Sequence, residues 1–450
     1  MYFFNAKFGG VAMLKALFCN AMTVLLLSAL SQTTRADSLT DQAQALLDQG
    51  KAKEAYSLLE PQEAQRAGDA SFDLLFGIAA IDAGQNTRGV FALERVLALH
   101  PENARARAEI ARAYLALGET DTAKQEFESV QNQGVPPEVS ATIDRYMDAV
   151  DRVNAATRTT LRGFVEASLG YDTNVNAATS KSSVALPGYG GTIILDSDSR
   201  AIDAWFGTVG GGLNVSSPIS NEVVAVAGLT GVIRNNFGAS QFNNVSGDAY
   251  AGLVVTRDKN VFSLNAQFNQ YNLSGDRYRT ASGLSGQWQH NMDARNQLSA
   301  FVQYADLRYQ TQSIRNADRW VAGGAFAHAY RGGEVAFASL YGVNETTHDG
   351  DVPWLGFNGV GVRAGGQLNY NAKTILFAGG SIEYRHYSAE DPAYLATRKD
   401  TQYDLVIGST YTPARYWTVT PRLTWTFDDS NIELNKYHRE TAAVIVRREF

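Results

Sequence analysis

Two fold classes in series are predicted: an α-helical repeat array in the first third, then a closed antiparallel transmembrane β-barrel of about 14 strands. Three observations lead there. Gly50, Gly84 and Gly118 recur every 34 residues, each just after an amphipathic segment. After Arg158, polar and apolar residues alternate with a period of two. The sequence also stops on an aromatic residue inside one such segment, Ala442 to Phe450, as many bacterial outer-membrane barrels do, so Phe450 is read as the barrel's C-terminal signal.

Residues 1–36 read as an export signal. Lys7 and Lys15 precede an apolar run over 17–30, and Thr34 and Ala36 place small residues where a signal peptidase reads, predicting cleavage after Ala36. Met13 makes a more typical start than Met1. The run is short against the roughly 20 residues a spanning helix needs. Cys19, the one cysteine, follows Phe18 and precedes most of the apolar stretch, the reverse of a lipidation signal. A processed chain would hold no thiol, which excludes disulfides and cysteine-ligated metals.

Removing Lys7, Lys15 and Arg35 moves the formal charge from −7 to −10, and no basic tract is left to hold nucleic acid. The mean hydropathy of −0.21 does not argue against a membrane, because a barrel strand needs only every second residue apolar.

Residues 37–155 form the predicted helical domain. In the register of the three glycines stand Ala55, Gly89 and Ala123, then Leu59, Leu93 and Phe127, with Ala43, Gly77 and Ala111 on the preceding helices. Small residues let paired helices approach, large ones fill the space beside them, and glycine makes the tight turn. The pattern resembles the tetratricopeptide repeat, with Pro101 in its usual turn and Ala67 where the first unit would carry proline. Ala108, Ala111, Tyr114 and Leu115 share one face of a helix over 104–117. A further helix from Pro137 to about Asn154 is expected to cap the stack. Such an array offers a groove for a peptide or partner protein, the plainer reading being a spacer. Arg105, Arg107 and Arg112 are expected to be solvated rather than an anion site.

Residues 156–450 form the predicted barrel. In Trp417–Phe427 the odd positions are Trp, Val, Pro, Leu, Trp and Phe, and the even ones Thr and Arg. Phe262, Leu264, Ala266 and Phe268 alternate with Ser263, Asn265 and Gln267. Leu298, Ala300, Val302 and Tyr304 do likewise, with Phe301 opposite. Turn signals place strands at 159–171, 201–214, 221–235, 245–257, 259–273, 276–290, 294–311, 314–331, 333–346, 357–371, 373–388, 400–413, 415–428 and 438–450. Short breaks alternate with long loops such as 172–200 and 347–356, as in membrane barrels. Trp288, Trp320, Trp354, Tyr416 and Trp417 near strand ends suit an interfacial girdle, which a soluble sandwich has no need of.

Catalytic motifs are weak. Gly359 to Ala364 loosely matches a dinucleotide fingerprint but lies in a strand and opens no helix. Gly283-Leu-Ser285-Gly286 is too short for a nucleophile elbow. His290, His328, His348, His386 and His438 are scattered, none obviously beside a serine, and are expected in loops or the lumen. Asp196, Asp198, Asp428 and Asp429 lack a full set of oxygen ligands at loop spacing. No catalytic residue, cofactor or metal is assigned.

At the junction runs Gly163-Phe-Val-Glu-Ala-Ser-Leu-Gly170-Tyr171-Asp172-Thr-Asn174-Val-Asn176. Asp and Asn there are ordinary turn formers. A first strand ending in Gly170, Tyr171, Asp172, Asn174 and Asn176, straight after a short tetratricopeptide domain, resembles the surface lipoprotein assembly modulator (Slam) family. The resemblance implies an outer-membrane translocon with its helical domain in the periplasm. Its clients would be lipoproteins or soluble secreted proteins, often for haem or nutrient capture. It also implies outer-membrane lipid, the barrel-assembly machinery and periplasmic chaperones as partners, and carries no catalytic residues. Three repeats are at the family's short end, which shifts client selection toward the barrel. The alternatives are a polysaccharide exporter, a general porin and a barrel lipase.

Overall fold

The computed structural model describes residues 38–330 and 332–450. The export-signal reading of 1–36 falls outside them. The chain divides into two compact units, Met1–Thr157 and Arg158–Phe450.

The first unit is a stack of helix pairs: α1 (Ser38–Asp48) with α2 (Ala52–Leu59), α4 (Ala70–Asp82) with α5 (Asn86–Leu99), and α6 (Ala104–Leu117) with α7 (Thr120–Asn132). The short α3 (Glu63–Arg66) follows a 3-10 turn through Pro61 in the first, least regular repeat, and α8 (Pro137–Thr157) ends the stack. Asp69 caps α4 by accepting from the backbone N–H of Ser71 and Phe72, and Asn103 caps α6 through Ala106 N–H. The three periodic glycines all take positive φ, at 73°, 87° and 83°, which closes each helix without a Cβ penalty.

The small-residue register works by steric allowance. A Cβ on Gly89 would stand 2.9 Å from Gly77 O, so α4 and α5 touch backbone to backbone. Ala43, Ala55 and Leu59 are buried in a first core, Leu93 in a second, and Ala111, Ala123 and Phe127 in a third. Tyr114 packs against the second and third, and Met147 and Val150 of α8 seal the third.

Arg112 departs from the expectation that it is solvated. Its side chain is only 13% exposed, with Nη2 2.6 Å from Glu109 and 2.7 Å from Asp82. Its long stem lies in the core while its head meets two carboxylates. Burial pushes the Glu109 carboxyl up, against the pull of Arg112. Arg107 pairs with Glu126 at 2.8 Å.

The second unit is a closed barrel of fourteen antiparallel strands, each paired with its sequence neighbours. They are β1 (Thr160–Asp172), β4 (Ala204–Pro218), β5 (Val223–Phe237), β6 (Asn244–Arg257), β7 (Asn260–Leu273), β8 (Asp276–Asn291), β9 (Asn296–Tyr309), β10 (Ala317–Ala329), β11 (Val335–Thr347), β12 (Phe357–Asn371), β13 (Thr374–Asp391), β14 (Ala396–Tyr411), β15 (Trp417–Ser430) and β16 (Tyr437–Glu449). Every predicted strand is present with ends shifted by a few residues. The small hairpin of β2 (Ser183–Leu186) and β3 (Gly191–Ile194) inside the first long loop is additional. Two connections at the long-loop end are short, the β7–β8 turn at Ser274-Gly275 and the four-residue β13–β14 turn at 392–395, where the turn signals suggest a long loop over 389–399. β1 closes the circle against β16 from Phe164↔Glu449 to Asp172↔Thr441, and Gly163 and Phe450 extend the ladder by exchanging two backbone hydrogen bonds of 2.8 and 2.9 Å.

Alternation sets the two faces. In β1, Leu161, Val165 and Leu169 are more than half exposed on the outside, while Glu166, Ser168 and Asp172 point in. Leu229 and Ile233, Phe262 and Leu264, Val360 and Val362 continue the apolar outer wall. A continuous apolar belt of this kind is covered by lipid, since soluble monomers do not expose such patches. Aromatic residues mark its edges: Tyr304 against Trp320 and Tyr171 against Trp205 at the loop end, and the exposed Tyr416 and Trp417 at the short-turn end. Trp354 instead sits in a 3-10 turn of the β11–β12 loop. No helix among the described residues is long and apolar enough to cross a membrane.

Candidate functional site

The junction motif is an inward-facing fastener. Asp172 is fully buried where β1 ends, and its carboxylate accepts from Arg439 of β16 at 2.5 and 3.0 Å and from Arg234 of β5 at 2.6 Å. One anion on β1 therefore ties β16 to β5, reaching across β4. Arg234 also stacks on Phe206, 3.7 Å from the ring centre. Gly170 leaves room for that ring, since a Cβ there would meet Phe206 at 2.6 Å. Asn174 carries the chain off the strand: its N–H reaches Asp172, and its amide donates to Ala178 O and His438 O at 2.8 and 2.9 Å. Asn176 donates to Asp198 O and Arg200 O, folding the far side of the loop back. Tyr171 points outward and donates to Asp203.

The loop so anchored spans residues 173–203 and reaches both ways across the loop-end mouth. Gly188, at the tip of the β2–β3 hairpin, donates its N–H to Ala393 O at 3.0 Å, in the turn between β13 and β14. Gln241, in the β5–β6 loop, donates to Asp198 at 3.3 Å. Those two contacts lie about half the circle of strands apart. Val184 of β2 and Leu195, just after β3, are buried. A side chain on Gly188 would collide with Pro392 O, so the tip fits closely.

The lumen is polar. Arg385 donates to Glu383 at 2.6 Å and to Gln402 at 3.0 Å, and Tyr341 donates to Glu383 at 2.7 Å. Arg398 holds the buried Asp400 at 2.6 Å, while Gln402 and Thr426 donate to Asp404 at 2.9 and 2.8 Å. Toward the short-turn end, Arg447 lies over Phe164 and 3.6 Å from Glu166. Charges of both signs on the inner wall suit a wet path, not a site for one ion.

Asp428 and Asp429, adjacent in sequence, face opposite sides of β15: Asp428 is buried inside, Asp429 is outside and paired with Lys436 at 2.6 Å. Asp196 accepts from Ser199 N–H in its own turn. His290, His328, His386 and His438 were expected in loops or the lumen. Their register puts them on the outer wall instead, opposite residues such as Leu298, Asn296, Asn358 and Phe427. The dinucleotide-like and elbow-like segments lie within β12 and β8, as strands. No sequence signal flagged Arg234, Arg439 or the β2–β3 hairpin, because their roles depend on partners 62 and 267 residues from Asp172.

A family model described as the surface lipoprotein assembly modifier matches residues 215–450, just over half of the chain. The chain belongs to this family. The match begins within β4, so the Gly170–Asn176 motif precedes it. A tetratricopeptide-repeat model matches residues 80–143 of this assembly modifier. No curated protein sequence matches it. Among solved structures, a Pseudomonas aeruginosa FadL homologue aligns at 9% identity and TM-score 0.37, over 66% of this chain and 91% of its own. The first tetratricopeptide domain of human RPAP3 aligns at 16% identity and TM-score 0.23, over 26% and 90%. The Yersinia enterocolitica secretion chaperone SycD aligns at 18% and 0.24, over 25% and 81%. These scores mark a loose likeness only.

Proposed function

We propose that this protein is an outer-membrane translocon that carries client lipoproteins, or soluble secreted proteins, from the periplasm to the cell surface. The single observation that carries the reading is the family match over a closed barrel with an apolar outer wall and a polar, charge-lined lumen. Short turns face the periplasm in barrels of this kind. β1 begins at that end, which supports a helical array that works in the periplasm, where it can meet clients or chaperones. Nutrient- or haem-capturing proteins are the clients the family resemblance favours.

Transport through the lumen requires the 173–203 loop to move, because it is fastened across the outer mouth. That fastening disfavours a general porin, whose outer mouth stands open. The motif residues Gly170, Tyr171, Asp172, Asn174 and Asn176 then set where this cap is hinged.

The test is surface display. A candidate client lipoprotein should be digested by external protease in cells carrying the intact protein and be protected in cells lacking it. Equal digestion in both would overturn the reading. Deleting residues 37–155 should weaken or redirect export while leaving the barrel inserted. Unchanged export would remove the helical array from the mechanism.

A further inference from the structure

Outside the lumen and the cap, one constellation is unexplained by transport. At the loop end of the outer wall, Asp306 of β9 stands directly opposite Asp318 of β10. Like charges in that position repel and weaken a sheet. His348, the first residue after β11, turns its imidazole toward both. Its Nε2 lies 3.3 Å from Asp318 Oδ1 and 3.8 Å from Asp306 Oδ1, and one ligand atom from each residue falls within 4.8 Å of the others.

The remaining polar contacts hold these groups in place. Tyr304 donates to Asp318 Oδ1 at 2.7 Å, and Arg308 Nε donates to Asp306 Oδ2 at 3.0 Å. Asp306 Oδ1 is shut off from solvent and lies 2.9 Å from Arg308 Nε, so that guanidinium straddles the carboxylate and a bound ion would share it with Arg308. The His348 backbone is fixed by its N–H to Asn316 O at 2.8 Å. Two carboxylates and an imidazole therefore come within 4.8 Å of one another, with one guanidinium against the Asp306 end.

We propose that Asp306, Asp318 and His348 form a divalent transition-metal site of the zinc type. Zinc bonds of about 2.0–2.2 Å in a tetrahedron place ligand atoms about 3.4 Å apart, close to the spacings at His348. Calcium fits poorly, since it takes 6–8 oxygens and gains little from imidazole. Three protein ligands leave a fourth position for water or an outside group. A bound ion would cancel the repulsion between the two carboxylates and pin the start of the β11–β12 loop to the barrel wall. The site is independent of the transport reading.

The experiment is calorimetric titration of the untagged, metal-stripped full chain in detergent, with Zn2+ and separately with Ca2+. One Zn2+ should bind saturably, with Ca2+ at least 100-fold weaker. D306N, D318N and H348Q should each weaken zinc tenfold or more, with H290Q and H438Q unchanged. Heat-shifted gel mobility verifies that each variant retains its barrel, and H348Q is the safest, lying outside the strands. No saturable zinc binding by the intact chain overturns the proposal. So does full binding in H348Q, which would leave an ordinary histidine–carboxylate pair, or equal loss in H290Q and H438Q.

Discussion

The helical array and the barrel solve opposite solvent problems within one chain. The array buries Phe72, Phe76, Leu93 and Phe127 and turns most of its charge outward. The barrel exposes Leu161, Leu229, Leu264 and Val360 and buries Asp172, Asp400 and Asp428. The same side chains change places because water surrounds one unit and lipid the other, while water fills the barrel's interior. Burial is therefore not a measure of apolarity here. Each unit also keeps a buried ion network, Arg112 with Glu109 and Asp82 in one, Asp172 with Arg234 and Arg439 in the other. Such networks cost little when whole and much when broken.

The largest effect is expected at Asp172. Asp172→Ala strands two guanidinium groups in the wall and should cost about 3–5 kcal/mol. It should appear as a lower urea midpoint for the folded barrel in detergent. An unchanged midpoint would mean that lumen water, not this carboxylate, satisfies the arginines. Phe127→Ala should cost the array a similar ~3–5 kcal/mol, through the cavity it leaves between α7 and α8. The readout is the helical far-UV signal on heating.

A sharper contrast lies on neighbouring residues of β7. Leu264→Arg puts a charge on the lipid face and should cost about 2–4 kcal/mol, falling toward zero near the interfaces. Asn265→Arg, facing the lumen, should change unfolding by less than about 0.5 kcal/mol. Equal costs would break the assignment of inner and outer faces. On the transport side, deleting residues 183–194 should raise single-channel conductance in planar bilayers. No rise would mean that the hairpin does not obstruct the mouth.

The smallest effect concerns Glu109. Its carboxyl is pushed above the usual range, so the folded state holds the proton more tightly than the unfolded state. The array should gain stability as pH falls through the folded value toward the unfolded one, and the penalty should be complete above both. Glu109→Gln should flatten that dependence at little cost, whereas Arg112→Met should cost about 3–5 kcal/mol. A pH profile identical in wild type and Glu109→Gln would remove Glu109 from this role.

Much of this was legible because it is local. The 34-residue glycine register lies along the sequence, and so does the alternation that marked all fourteen strands. What escaped depended on register between strands. Asp306 and Asp318 are separated by a turn, and His348 by a further strand, so nothing in their spacing brings them together. Arg112 looked solvated because its neighbours Arg105 and Arg107 suggested an exposed basic face, while its partner Asp82 comes from another repeat. The outward histidines were misplaced because polar residues are normally assigned to the wet side of a wall. Near its edge the wall meets headgroups, where polar rings are tolerated.

The sequence alone determined that the chain has a repeat array followed by a barrel, and which residue of each alternating pair differs from its neighbour. Periodicity is a property of the backbone's own geometry, 3.6 residues per helical turn and two per strand repeat. The tertiary structure decided which face meets lipid, where the first loop lands, and which distant charges share a pocket. Those outcomes follow from ring closure, which sets one strand against another and brings Arg439 to Asp172 across nearly the whole barrel sequence.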